Sequence, residues 1–194
     1  MNGLAIDHTG MFDMALNLLA TQAVHVAAEM WIADHLASGP ADTTLLAKTT
    51  GAHEPSLYRL LRLLSSVGLF IATAPRTFAT TSKANVLRSD VPGSLRSFVL
   101  HTLGFLYPAR GEMAHSVRTG EEAFTKAFGK PVWQYHADRS EANDLMSQVM
   151  SHESEVMIDG LTTAYDFSPF HPRTHSRAYP VRRSHRGKFA RHGR

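Results

Sequence analysis

The chain has 194 residues, of which 43% are hydrophobic and 19% charged, as is typical of a folded globular protein. It contains no cysteine, which excludes disulfides, thiol nucleophiles and cysteine-ligated zinc. Residues 1–170 hold 12 basic and 17 acidic residues, a formal charge of −5, whereas residues 171–194 hold eight basic residues and no acid. The overall basic charge therefore comes from the last 24 residues and does not indicate a nucleic-acid-binding surface on residues 1–170.

The N-terminus shows no targeting signal. It lacks a basic leader, and Asp7 and Asp13 interrupt its apolar stretch. No apolar run in the sequence approaches the roughly 18 residues needed to span a membrane. We therefore expect a cytoplasmic protein that does not insert into a membrane.

The first predicted element is one long helix from Phe12 to about Ala37, which Ser38-Gly39-Pro40 ends. Its apolar residues recur at spacings of three and four, and further apolar residues extend them well beyond one face. Such a helix is either a central core helix or is buried against a second subunit. We predict a homodimer, because a two-fold partner covers this surface most simply. The predicted contact residues are Leu16, Leu19, Ala23 and Trp31.

The next segment has the order helix, turn, helix and β-hairpin, which is typical of a winged helix. Asp42 or Thr43 can cap the first of these helices, Gly51 ends it, and Gly68 ends the second. The predicted elements are the helices Thr44–Thr50 and Leu57–Val67, the strands Leu69–Ala72 and Thr77–Thr80, and the turn Thr73–Arg76.

A winged helix raises the alternative of a stand-alone DNA-binding regulator. The second helix, Leu57–Val67, occupies the recognition position, and its polar strip consists of Ser56, Arg59, Arg62 and Ser66. Two arginines can contact phosphates, but base readout needs three or four polar groups near the start of the helix. We therefore do not expect specific nucleic-acid binding.

The remaining sequence predicts more helices, so the fold class is mainly α with one small hairpin. Ser140 can cap the last helix. Apolar residues that include Val149 and Met157 are expected on its inner side. The predicted helices are Thr81–Leu87, Leu95–Tyr107, which ends at Pro108, Gly111–Arg118 and Glu141–Tyr165.

The chemically active residue types form no catalytic or metal-binding motif. The 12 histidines are scattered, and His171 and His175, four residues apart, stand in a proline-bearing tail. His152 and Glu153 could form an acid–base pair, although solvated or capping roles suit them better. No two glycines occur as Gly-x-Gly, the core of dinucleotide-binding loops. We therefore predict no catalytic, cofactor-binding or metal-binding residue in this chain.

Methionine and aromatic residues of the last third could line an apolar pocket. Met146 and Met150 are one helical turn apart, and the aromatic segment that includes Trp133 precedes them. Core filling is the alternative explanation for these residue types. We predict Trp133, Met146 and Met150 as substrate-lining residues.

Five segments together resemble the N-terminal region of S-adenosylmethionine-dependent small-molecule O-methyltransferases, the bacterial relatives of caffeate-type enzymes. They occur in the family's order between about Leu4 and Phe170. The segments are IADHLASGP (Ile32–Pro40), LYRLLRLLSSVGLF (Leu57–Phe70), TTSKANVLRSDVPGSLRSFV (Thr80–Val99), SVRTGEEAFTKAFG (Ser116–Gly129) and AYDFSPF (Ala164–Phe170).

The resemblance implies an organisation and an activity. In the family the N-terminal region is a winged-helix-like helical domain that forms an intertwined homodimer, and later helices help to close the substrate pocket. It implies a dimerisation domain over residues 1–95 and a helical substrate-capping region over residues 96–170. We expect residues 171–194 to be a disordered basic tail. The reaction of the complete family is methyl transfer from S-adenosylmethionine to a hydroxyl group of a small aromatic molecule.

The chain also departs from the family pattern. In the family the segment matching Ala164–Phe170 leads into a strand and a glycine-rich loop that binds S-adenosylmethionine, and a later histidine is the catalytic base. Here HPRTHSR follows Phe170. The family's aromatic-Asn pair reads Met146-Ser147, so any contact from that Asn is lost. We therefore expect a truncated, inactive chain without the catalytic domain. A pure interaction module that pairs with complete methyltransferases is a further alternative.

Overall fold

The computed structural model describes residues 8–165, which are mainly helical, as the sequence predicts, and contain a small three-stranded antiparallel sheet. The predicted tail, residues 171–194, lies outside the described residues. The described residues divide after Met157 into two units. The helices are α1 (His8–Glu29), α2 (Ile32–His35), α3 (Thr43–Thr50), α4 (Glu54–Ser66), α5 (Ser82–Asn85), α6 (Arg96–Val99), a π-helix (Leu100–Phe105), α7 (Tyr107–Gly111), α8 (Met113–Thr119), α9 (Ala123–Phe128), α10 (Val132–Asp138) and α11 (Ser140–Ala164).

The first helix ends earlier than predicted, so a single helix from Phe12 to Ala37 is wrong. The chain bends between α1 and α2 at Trp31, whose φ of 55° lies in the left-handed region. Arg96 stabilises the bend in two ways. Its Nε donates a 2.9 Å hydrogen bond to the carbonyl oxygen of Ala28. Its guanidinium carbon lies 3.3 Å from the centroid of the Trp31 ring. The Ala28 carbonyl oxygen also accepts a 3.3 Å hydrogen bond from the backbone N–H of Trp31, so the end of α1 is satisfied without further helix.

The local signals around α3 predicted it correctly. Asp42 has an extended backbone, and its carboxylate accepts a 2.7 Å hydrogen bond from the backbone N–H of Thr44. Gly51 ends the helix with a φ of 71°, a conformation that glycine adopts without steric cost. Helix α4 likewise forms as predicted, although it begins three residues earlier, at Glu54, with Pro55 in its first turn.

The sheet contains the predicted hairpin and a short strand that the sequence analysis missed. Strands β2 (Phe70–Ala74) and β3 (Thr77–Thr80) are antiparallel, with a register shift between Ala72 and Ala74. Strand β1 (Ala41–Asp42) pairs with the other edge of β3, which gives the order β1-β3-β2. Two residues are too few for an alternating pattern, so only the pairing partner reveals β1.

The predicted helix Leu95–Tyr107 is divided in the structure. A short α-helix, α6, runs directly into the π-helix, and the backbone N–H of Leu106 bonds to the carbonyl oxygen five residues earlier, at His101. Pro108 does not end a helix but lies in the first turn of α7. The periodicity of the sequence located this segment but not its change of helical type.

The core of the first unit lies between the C-terminal half of α1, the helices α2 to α4 and the sheet. Helix α1 contributes the buried alanines Ala23, Ala27 and Ala28, and the largest fully buried side chains come from residues 32–78. They are Ile32, Leu36, Thr43, Leu46, Leu61, Leu64, Phe70 and Phe78. On α11, Val149 is buried as predicted, but Met157 is exposed and does not lie on an inner side.

Candidate functional site

An exposed apolar surface covers the N-terminal half of α1. Every large apolar side chain there is exposed, although isolated patches of this kind are disfavoured in water. The side chains are Met11, Phe12, Met14, Leu16, Leu18 and Leu19. We call this set the α1 apolar surface. Its chemistry suits a protein–protein contact.

The predicted dimer residues are in different environments. Leu16 and Leu19 lie on the α1 apolar surface. Ala23 is only 4% exposed and belongs to the chain's own core, so the structure separates it from that surface. Trp31 is partly exposed and stacks against Arg96 at the end of α1. The α1 apolar surface therefore lies N-terminal to Ala23.

A cluster of aromatic rings surrounds Phe105, the last residue of the π-helix. Its ring centroid lies 5.4 Å from that of Tyr135 and 5.3 Å from that of His136, both on α10. On α9, the rings of Phe124 and Phe128 stack with centroids 4.4 Å apart, and both contact Phe105. The distances from Phe105 lie within the range for favourable aromatic pairs, and the Phe124–Phe128 distance is at its lower edge. The cluster therefore joins the π-helix, α9 and α10.

Two buried histidines complete the aromatic cluster. His101 on the π-helix stacks on His136, with ring centroids 6.2 Å apart and planes inclined by 27°. His136 is 4% exposed, and neither of its ring nitrogens has a hydrogen-bond partner among the described residues. Sequence reasoning missed this pair, since its members are 35 positions apart. The aromatic-rich segment around Tyr135 was the signal that located its neighbourhood.

Helix α1 positions the π-helix through two close contacts. The side-chain amide of Gln22 donates a 2.9 Å hydrogen bond to the carbonyl oxygen of Leu103. Gly104 lies so close to the His25 ring that a Cβ there would be 2.1 Å from Nε2. A larger residue there would displace the His25 ring, so the absence of a side chain at Gly104 lets the π-helix lie directly against α1.

A cleft of about 550 Å³ adjoins the aromatic cluster, between Phe105 and the start of α11. Its lining combines apolar and charged side chains, and Arg139 stacks over the Tyr135 ring at 4.5 Å. The lining residues are Phe105, Tyr135, Asp138, Arg139, Ser140, Glu141, Ala142 and Leu145.

The three predicted substrate-lining residues are not part of this lining. Trp133 is 73% exposed, Met150 is exposed and Met146 is half-buried. They therefore lie on surface that other groups could cover.

A second, smaller cavity of about 290 Å³ lies between α1 and α4, and we call it the α1–α4 cavity. Most of its exposed wall is apolar. Its lining residues are Val26, Met30, Ala52, His53, Ser56, Leu57 and Leu60.

The cationic residues near the predicted recognition helix already contact other side chains. Arg59 donates to the Ser56 hydroxyl at 3.1 Å, and the Arg62 guanidinium lies 5.8 Å from the Tyr58 ring centroid. Arg76 forms an ion pair with Glu54. The Arg76–Glu54 pair joins the hairpin turn to α4, whereas the contacts of Arg59 and Arg62 lie within α4.

The surroundings shift the pKa of several ionisable groups, among them Asp42 and Arg96. Hydrogen bonds from the side chain and backbone of Thr44 lower the pKa of Asp42. Burial lowers the pKa of Arg96, and the nearby Asp34 carboxylate partly opposes that effect.

Within residues 8–165, no group of three His, Asp or Glu side chains could hold a metal ion. No helix in the same range is long and apolar enough to cross a membrane.

Two family models match the chain. Residues 12–90 match the O-methyltransferase dimerisation domain, and residues 111–173 match the O-methyltransferase domain. The first match contains the α1 apolar surface except Met11 and contains the α1–α4 cavity, and the second contains α9, α10 and α11.

Relatives of this chain include O-methyltransferases. The phenazine O-methyltransferase PhzM of Lysobacter antibioticus is 36% identical over 160 residues, which are 82% of this chain and 47% of that protein. The crystal structure of LaPhzM superimposes with a TM-score of 0.78 at 36% identity, over 82% of this chain and 48% of that one.

A third similar structure contains ligands. The O-methyltransferase NcsB1 from neocarzinostatin biosynthesis, in complex with S-adenosylmethionine and 2-hydroxy-5-methyl naphthoic acid, gives a TM-score of 0.66 at 33% identity. The alignment covers 76% of this chain and 46% of that one. The chain thus spans about half the length of the proteins that it matches.

Proposed function

Because the chain belongs to the O-methyltransferase family, we propose that its 194 residues form the dimerisation and substrate-capping part of an S-adenosylmethionine-dependent enzyme. The proposed reaction of the complete enzyme is methyl transfer to a hydroxyl group of a small aromatic molecule. The match of residues 12–90 to a dimerisation domain, together with the exposed α1 apolar surface in the same residues, carries the proposal.

The proposed homodimer buries the face of the α1 apolar surface that carries Leu16 and Leu19. Leu16 and Leu19 are exposed on it, and Trp31 is partly exposed at the far end of α1. Ala23 is covered within one copy and contributes to the core instead. The transfer of apolar surface out of water contributes roughly 25 cal/mol per Å². A homodimer gains this contribution twice, because the same surface serves both copies.

The proposed organisation follows the two family matches. We assign residues 1–95 to the dimerisation domain and 96–170 to the substrate-capping region, with 171–194 as a separate basic segment. The order of α3, α4 and the antiparallel pair β2–β3 supports a winged-helix-like arrangement inside the proposed dimerisation domain. Its arginines contact neighbouring side chains, and the matched proteins are methyltransferases, so no finding favours the DNA-binding alternative.

The proposed capping role rests on the region around the aromatic cluster. Trp133, Met146 and Met150 provide apolar side chains that are partly or largely exposed, and such groups suit contact with a flat aromatic molecule. The naphthoic acid in the NcsB1 complex is a molecule of that class. The 194 residues contain no Gly-x-Gly sequence, so we do not assign the S-adenosylmethionine site or the catalytic base to them.

The oligomeric state of the purified chain tests the proposal. Sedimentation equilibrium at tens of micromolar should give a dimer, and Leu19→Arg should shift it to monomer by placing a charge in an apolar contact. Leu45→Arg is the matched control, because Leu45 on α3 is also an exposed leucine but lies outside α1. A well-folded monomer of the unaltered chain would contradict the proposed dimer.

A further inference from the structure

One face of α1 changes its surroundings along its length. Phe12, Leu16, Leu19, Val26 and Met30 follow one another at spacings of four, three, seven and four residues. At 3.6 residues per turn these positions share one face of a helix. The first three are exposed, whereas Val26 and Met30 line the α1–α4 cavity. The same face is therefore uncovered at one end and has an unfilled cavity at the other.

The size and chemistry of the α1–α4 cavity suit an aromatic ring. Its volume is about 290 Å³, and Val26, Met30, Leu57 and Leu60 supply apolar walls. For comparison, an apolar cavity of about 150 Å³ is large enough to bind benzene. Phe12, which is 67% exposed, is the aromatic side chain at the start of this face.

Phe12 cannot reach the cavity of its own chain, because both are on one rigid helix. The distance along the axis from Phe12 to Met30 is about 27 Å at 1.5 Å per residue. In a second copy related by two-fold symmetry, an antiparallel α1 brings the start of one helix beside the end of the other. The two-fold axis that relates the two copies then passes near Ala20, midway along α1 between Phe12 and the cavity.

We propose that two copies of the chain pair through antiparallel α1 helices, with Phe12 of each copy inserted into the α1–α4 cavity of the other. This inference rests on the proposed dimer and specifies its geometry. The occupant is a second copy because the projecting ring and the receiving cavity lie on one helical face. Both also fall inside the residues that match a dimerisation domain.

Cysteine cross-linking tests the geometry cleanly, because the chain has no cysteine of its own. Thr9 precedes Phe12 by one turn on the same face, and Ser56 lines the cavity. Thr9→Cys and Ser56→Cys chains, mixed and allowed to exchange subunits, should be joined by a bismaleimide with a short spacer. Ser66→Cys replaces Ser56→Cys in the matched control, since it lies about 15 Å further along α4 at 1.5 Å per residue.

The expected result is a covalent dimer from the Thr9→Cys and Ser56→Cys mixture, with much less from the Ser66→Cys mixture and none from Thr9→Cys alone. Sedimentation of the same samples distinguishes a failure of the antiparallel geometry from a failure of dimer formation. A dimer in which Thr9→Cys links to itself, or links equally well to Ser66→Cys, overturns the antiparallel arrangement and leaves the proposed dimer intact. A monomer overturns both.

Truncation of the ring gives a second readout. Phe12→Ala should raise the dimer dissociation constant at least about 30-fold, as expected for an aromatic anchor in a buried pocket. Met14→Ala is the matched control, because Met14 is 70% exposed on the same helix but faces away from Phe12. The control should change the dissociation constant less than about threefold. Equal effects of the two variants would refute insertion of Phe12 into the cavity.

Discussion

Replacement of Arg96 by alanine should destabilise the bend between α1 and α2. The change removes the hydrogen bond to the Ala28 carbonyl and the stacking on Trp31, a residue held in the left-handed region. A hydrogen bond from a charged group contributes about 1.5–3 kcal/mol, and a cation–π contact about 1 kcal/mol. Alanine also relieves the desolvation that lowers the pKa of Arg96, which offsets part of the loss.

We therefore expect Arg96→Ala to lower the free energy of unfolding by about 2 kcal/mol and the melting temperature by roughly 4–8 °C. Circular dichroism during thermal unfolding measures both. Arg96→Lys should lose about half as much, since an ammonium can bond to the carbonyl but does not stack as a flat plane. Arg110→Ala, an exposed arginine on α7, is the control. If Arg96→Ala changed the stability by less than about 0.5 kcal/mol, like an ordinary surface substitution, this account of the bend would be refuted.

Three further predictions concern other parts of the chain. Gly104→Ala should destabilise by about 1–3 kcal/mol, because its Cβ overlaps the His25 ring; urea unfolding measures this, and Gly111→Ala, where a Cβ meets nothing, should not destabilise. The carboxylate of Asp42 has a lowered pKa in the folded chain, so its cap stabilises α3 fully at pH values above the ordinary pKa of Asp. This stabilisation is lost as the pH falls through the pKa of Asp42 in the folded chain. Asp42→Asn should therefore flatten this part of the curve of unfolding free energy against pH. Isothermal titration calorimetry should detect no micromolar binding of S-adenosylmethionine to the purified 194-residue chain, and such binding would contradict the assignment of the cofactor site outside these residues.

Local signals were sufficient where each element depends on its own residues. Helix α3 shows this, because its cap Asp42 and its terminating Gly51 adjoin it in sequence. The hairpin was also predicted, although β2 extends to Ala74. In both cases the physical determinants are within a few residues of the element, so an inspection of the sequence includes them.

Elements that depend on distant partners could not be predicted in this way. The bend at Trp31 is stabilised by Arg96, 65 positions later, and the apolar spacing continues through it without interruption. The π-helix likewise depends on Gln22 and on the close packing of Gly104 against His25. Hydrophobic periodicity reports which residues share a face, but it does not report a hydrogen bond from another helix.

The same distinction between local and distant determinants applies to the candidate site. The exposed Leu16 and Leu19 were predicted from the surplus of apolar residues on α1, which one small core could not cover. Ala23 was misplaced, because a small residue on that helix fits the core as well as an interface. The stacking of His101 on His136 was missed, because it requires the π-helix and α10 to meet.

Helix α1 connects the two proposed roles of the chain. Its N-terminal half carries the apolar surface assigned to the dimer, and its C-terminal half contacts the π-helix through Gln22 and His25. The π-helix in turn places Phe105 at the centre of the aromatic cluster. A partner that fixes α1 therefore also fixes one support of the cluster, because that helix is continuous over His8–Glu29. Dimerisation and the shape of the capping region consequently share one structural element.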